Sequence, residues 1–168
     1  MRRTSREPPG LDFDDWYRRE FPRVRQAMTM VTGDPGVGEE AAAEAFALAV
    51  VHWGRVSRMD SPGGWVYATA LNQARRGWRR AALEQRHRDR SVEALVAPPE
   101  PPDTALWRAV AGLSPRARTA VALRYVADLS EDEVAAAMNV SRGTVATTLS
   151  RARKSLAQVL EPAMNGEF

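Results

Sequence analysis

Between Glu84 and Ala105 the chain reads EQRHRDRSVEALVAPPEPPDTA, charged at first, then proline-rich, with little helical or strand period. Proline has no N–H to give to a helix or a ladder and pushes the residue before it toward extended backbone. The stretch therefore predicts a flexible linker, extended or disordered, with a separate folding unit on either side. A chain of 168 residues with 44% hydrophobic content suits one ordinary domain or two small ones. The linker decides for two.

Periods of three and four dominate both flanks. Phe13, Trp16, Tyr17, Phe21, Val24, Met28 and Val31 form one apolar stripe between Asp12 and Thr32, within which Pro22 is expected to kink or split the helix. TGDPGVG is turn chemistry. A second helix is expected from Glu39 to Trp53, with Ala42, Phe46, Val50 and Trp53 on its buried face. HWGRVSRMDSPGG reads as a loop, ended by Ser61 as N-cap and Pro62 at the first helical position. In the third helix Tyr67, Leu71, Ala74 and Trp78 make the apolar side, while Arg75, Arg76, Arg79 and Arg80 crowd the rest.

Past the linker, Ala105 to Gly112 gives a short helix. LSPRARTAVALRYVADL gives another, with Ser114 as cap and Pro115 next. Ser130 followed by Glu133 is a capping box, so a helix starts at Glu131 and buries Val134 and Met138. Asn139 tolerates the left-handed backbone that ends helices, and Ser141 caps a last helix whose buried stripe is Val145, Leu149, Ala152 and Leu156. Arg142, Thr144, Ala146, Thr147, Ser150, Arg151, Arg153 and Lys154 are left outward. Two short helices about a tight turn, the second amphipathic, are the helix-turn-helix arrangement, though an ordinary helical hairpin has the same periodicity. No strand pattern of useful length occurs, so the fold class is all-α.

Charge and composition narrow the chemistry. Net charge is only +3, yet the sequence pI is near 9.9 and the cations are clustered, which suits a polyanionic partner. With no cysteine there is neither a disulfide framework nor a thiolate metal site. His52 and His87 have no ligand-spaced partner. Neither a Ser-His-Asp set nor a glycine-rich phosphate loop is present, so the expectation is no enzyme, no metal and no cofactor. No apolar run nears the ~20 residues that span a bilayer, so a soluble, cytoplasmic protein without membrane contact is expected. Trp16, Trp53, Trp65, Trp78 and Trp107 are most simply core, with Trp65 the first candidate for another role.

From Gly112 to Leu156 the sequence resembles, nearly residue for residue, the minus-35-binding region 4 of bacterial extracytoplasmic-function sigma factors. Leu113, Pro115, Arg116, Arg118, LRY at Leu123 to Tyr125, Leu129-Ser130, Glu133, Ala135, GTV at Gly143 to Val145 and LSRAR at Leu149 to Arg153 carry it. The first half is similar to region 2 of that family at Thr32 to Pro35, Glu39-Glu40, Glu44, Phe46, Trp65, Tyr67, Asn72 and Arg79-Arg80. The resemblance implies two small helical domains, the second a four-helix, winged-helix-like helix-turn-helix unit. It places region 2 at residues 11–83 and region 4 at 104–161, with a disordered N-terminus 1–10, a linker 84–103 and a tail 162–168.

By that resemblance the chain binds core RNA polymerase, at the clamp helices of the largest subunit and at the flap, and directs promoter-specific initiation. Region 2 would open the minus-ten element through Trp65, Tyr67, Asn72, Arg75, Arg76, Arg79 and Arg80. Region 4 would read the minus-35 element through Ser141, Arg142, Gly143, Thr144, Ala146, Thr147, Ser150, Arg151, Arg153 and Lys154. Glu40, Ala43 and Glu44 would face the polymerase, and an anti-sigma factor is an expected partner. Where the family commonly has Asp-Leu-Val-Gln-Glu and Lys-Ser-Arg, this chain has Glu40-Ala41-Ala42-Ala43-Glu44 and Ala146-Thr147-Thr148; a commonly basic position is Leu71. A stand-alone helix-turn-helix regulator and a sigma-like interaction module are the alternative readings.

Overall fold

The computed structural model describes residues 10–88 and 105–164. The expected N-terminal segment up to residue 9, most of the linker, the last four residues and the His87 side chain lie outside what is described. Among the described residues every regular element is helical.

Helix α1, Phe13–Thr32, starts at Asp12, whose carboxylate accepts the Asp15 N–H at 3.0 Å, and ends at Gly33 in the left-handed region, φ 74°. It runs through Pro22 unbroken. The proline forfeits one intrahelical bond, but Trp16, Val24, Met28 and Val31 on the buried side hold the rods on both sides of it in one core.

Helix α2, Pro35–Val51, begins four residues before the periodicity implied. Asp34 caps it by accepting from Gly36 at 2.8 Å and Val37 at 3.1 Å, with Pro35 at the first position. Its buried face is Ala41, Ala42, Ala45, Phe46 and Ala49; Val50, expected inside, is exposed. Gly38 is required where α1 and α2 cross, since a β-carbon there would lie 2.5 Å from the Thr29 backbone nitrogen.

The segment read as a loop holds a single helical turn, α3, Trp53–Val56. Its cause is aromatic. The Trp53 ring packs edge-on to Phe13 at 5.1 Å and tilted on Trp16 at 4.9 Å, and Trp16 meets Phe46 at 5.0 Å. Pairs of this kind add ~1 kcal/mol each beyond the area they bury. Helix α4, Pro62–Arg88, takes Ser61 as its cap and buries Val66, Tyr67, Ala70, Leu71 and Ala74. It continues five residues into the stretch expected to be linker.

The second unit is α5, Ala105–Ala111; α6, Pro115–Val121, capped by Ser114; a π-helical turn over Ala122–Val126; α7, Glu131–Met138; and α8, Arg142–Met164. The capping box is complete, with the Glu133 N–H donating to Ser130 and the Ser130 N–H donating to the Glu133 carboxylate at 2.8 Å. Asn139 ends α7 at φ 55°.

The two units touch. Helix α4 packs on α7, and α1 packs on α5, α6 and the π-helical turn. Buried residues of both, from Met28 and Leu71 to Leu123 and Val134, join in one apolar cluster.

Candidate nucleic-acid interface

Helix α8 is held by Val145, Leu149 and Ala152 inside and Leu156 half-buried. That fixes which side chains point away. Ser141, Arg142, Gly143, Thr147, Ser150, Arg151, Arg153 and Lys154 are exposed, and Thr144 and Ala146 are half-exposed, so the structure assembles the predicted reading residues on one helix. A groove of about 880 Å³ runs beside them, between the start of α6 and α8, lined by Ser114, Arg116, Ser141, Thr144, Thr147 and Arg151. Arg116 is the cation that periodicity missed. It precedes α8 by some twenty-five residues and meets the groove only through the packing of α6 on α8.

Arg142 behaves differently from the other cations. It folds back on the first turn of α7, 3.4 Å from Glu131 and 3.8 Å from Asp132. Its charge, expected to serve minus-35 binding, is thus shared with two carboxylates, whereas Arg151, Arg153 and Lys154 have no such pairing among the described residues.

On α4, Asn72, Arg76, Arg79 and Arg80 are exposed, and Trp65 and Arg75 are half-buried. Tyr67 departs from the expectation of a ring offered to a base. It is 1% exposed, locked in the core, and its hydroxyl has no hydrogen-bond partner among the described residues. Burial, with a smaller push from Glu20, raises its pKa far above the usual phenol value. The Tyr67 ring is a packing element of this surface.

Arg80 reaches Glu40 on α2 at 3.6 Å, which brings one expected minus-ten residue onto one expected polymerase contact. Glu40, Ala43 and Glu44 all sit on the exposed side of α2, and the apolar Leu48, Val50 and Val51 extend that exposed side toward its C-terminus. Those three were not anticipated. Their signal was a helix apolar on nearly every side, more than one buried face requires.

The junction of the units is polar at one point. The Ser61 hydroxyl, whose oxygen accepts the Gly64 N–H at 3.0 Å, donates to the Glu133 carboxylate that completes the capping box. The Ser61 hydrogen bond, followed by those from Ser130, holds the Glu133 carboxyl below its usual value of 4.5 against the opposing pull of burial. Nearby, Arg75 and Trp78 of α4 face Pro115, Arg116, Met138 and Val140 across a recess of about 320 Å³.

Among the described residues no cluster of three or more histidine or acidic side chains could hold a metal ion, and no helix is long and apolar enough to cross a membrane.

The family described as "Sigma-70, region 4" matches residues 103–156. The RNA polymerase sigma-E factor of Streptomyces avermitilis is 25% identical over 154 residues, covering 90% of this chain and 86% of the relative. That of Streptomyces coelicolor is 26% identical over 153 residues, covering 89% and 86%. Among solved structures, the sigma factor RpoE of Bartonella quintana, determined with the anti-sigma factor NepR, is 19% identical and superposes with a TM-score of 0.75 over 89% of this chain and 97% of its own. CnrH, determined with the cytosolic domain of CnrY, is 21% identical with a TM-score of 0.59 over 89% and 87%. The fold is shared with both.

Proposed function

We propose how this chain, which belongs to the extracytoplasmic-function sigma factors of the sigma-70 family and directs RNA polymerase in transcription initiation, divides that work among its residues. Residues 11–83 act as region 2 and residues 104–161 as region 4. The observation that carries the assignment is α8, an exposed polar and cationic helix seated behind a fully formed capping box and turn, within the stretch that matches region 4.

In the reading proposed here, α8 enters the major groove at the minus-35 element. Arg151, Arg153 and Lys154 hold phosphates, and Thr144, Ala146, Thr147 and Ser150 meet base edges. Helix α4 offers Asn72, Arg76, Arg79 and Arg80 to the backbone of the minus-ten element, with Trp65 as the aromatic that receives an unstacked base. The exposed side of α2, at Glu40, Ala43 and Glu44, meets the clamp helices of the polymerase, and region 4 meets the flap. The partner at that flank is intracellular, which makes the protein cytoplasmic.

The two promoter elements stand about 25 base steps apart, and at ~3.4 Å per step that is ~85 Å of duplex. Helices α4 and α7 are in contact. Engaging both elements at once therefore requires the units to part, with the Ser61–Glu133 bond replaced by water. An anti-sigma factor, of the kind seen with both solved neighbours, is the proposed regulator of that step.

Run-off transcription from the promoter of the chain's own operon tests the assignment. Core enzyme plus this chain is expected to give a defined start, and Arg79→Ala with Arg80→Ala to reduce it at least tenfold. A start no different from that of core enzyme alone would sink it.

A further inference from the structure

The hydroxyls on the reading half of α8 are already bonded within the helix, and Thr147 and Thr148 have each spent the one proton they can donate. Thr147 donates to the Gly143 carbonyl at 2.9 Å, Thr148 donates to the Thr144 carbonyl at 2.7 Å, and Thr144 is bonded to Ser141 at 2.9 Å. Arg142, the one cation in that half, is paired with Glu131 and Asp132. With its oxygen tied to the turn behind it, a threonine on a helix turns its methyl group away from the backbone. Ala146, between them, offers nothing but a methyl. Ser150 is the hydroxyl on this face without such a bond among the described residues.

A base edge is read in the major groove either by hydrogen bonds or by contact with the C5-methyl group that only thymine carries. We infer that α8 selects its minus-35 element mainly through thymine methyl groups, with Ala146 and Thr147 as the specificity-determining residues and Arg151, Arg153 and Lys154 supplying sequence-independent affinity. The inference rests on region 4 reading that element, as proposed above. It goes further by fixing the chemistry of the readout.

The test uses the full chain with core polymerase. Duplexes randomised across the minus-35 element are selected for binding, and the enriched duplex is remade with 2′-deoxyuridine at each thymine in turn. Enriched sites should carry adjacent thymines, and each methyl removed within the footprint should weaken binding about threefold to fivefold. Two variants separate methyl from hydroxyl: Thr147→Val keeps the methyl and puts a second in place of the hydroxyl, and should keep the sensitivity to deoxyuridine, whereas Thr147→Ser should lose it at the thymine that Thr147 meets. Equal binding of thymine and deoxyuridine duplexes, with the minus-35 element still protected, overturns the inference and leaves the sigma assignment standing. So does a Thr147→Ser variant that selects like the parent while Thr147→Val does not. No protection of the minus-35 element at all overturns the assignment and the inference with it.

Discussion

Helices α4 and α8 follow one plan and end with different surfaces. Each starts at a capping serine, buries one apolar stripe and carries its cations on the other side. On α8 the cations other than Arg142 are gathered past the reading half, where Arg151, Arg153 and Lys154 are exposed. On α4 Arg76, Arg79 and Arg80 are exposed, with Arg80 joined to Glu40 of α2, whereas Arg75 is half-buried beside Trp78, facing the other unit. The same amphipathic sequence pattern thus yields a free face when nothing packs on it and a shared one when a neighbour does. What a helix offers to a ligand is settled by tertiary packing, one level above the pattern.

Placing a lysine on each helix exposes that difference most sharply. Leu71→Lys puts an unpaired ammonium at a position 1% exposed, and urea denaturation should show a loss of more than ~3 kcal/mol. Thr147→Lys, on the open face, should leave stability within ~0.5 kcal/mol, tighten minus-35 binding and steepen its salt dependence by about one unit. A stable Leu71→Lys protein would mean that α4 is far less enclosed than described.

The junction comes next in size. Glu133→Ala removes one half of the capping box and the acceptor of the Ser61 hydroxyl, and should cost ~1 kcal/mol. Because the folded-state pKa of Glu133 is depressed, its contribution is present above about 4.5 and is lost as pH falls through the lowered value. The stability gap between the parent and Glu133→Gln should accordingly be constant near neutrality and close in acid, as thermal melts at stepped pH can follow.

Within α8 the comparison sharpens further. Arg153→Ala should reduce the slope of log affinity against log salt by about one unit. Arg142→Ala should change it less, because Glu131 and Asp132 already neutralise that side chain. The smallest effect belongs to Tyr67→Phe. Deleting a buried hydroxyl that has no partner among the described residues should leave stability unchanged or raise it by ~1 kcal/mol, and permanganate footprinting of the minus-ten element should be unaltered.

Where one residue and its near neighbours suffice, the sequence was transparent. The caps at Ser61, Ser114, Ser130 and Ser141, the left-handed Asn139 and the buried stripe of α8 all depend on side chains within four positions of the backbone groups they serve. Continuity through Pro22, the turn made by Trp53, the exposure of Val50, the enclosure of Tyr67 and the pairing of Arg142 were not readable in that way. Each is decided by what other helices do or do not pack against the residue, Phe13 and Trp16 for Trp53, Glu131 and Asp132 for Arg142.

One oxygen, the Ser61 hydroxyl, closes the first turn of α4 and also bridges to the other unit. A hydroxyl released from Glu133 regains its rotation, and the Gly64 amide it covered is left to solvent for part of the time. Deuterium uptake at that single amide therefore keeps time for the whole molecule. Its exchange rate, set against that of the Glu133 amide, which keeps Ser130 as acceptor whether the units are joined or apart, counts how often the protein opens without any polymerase or DNA present.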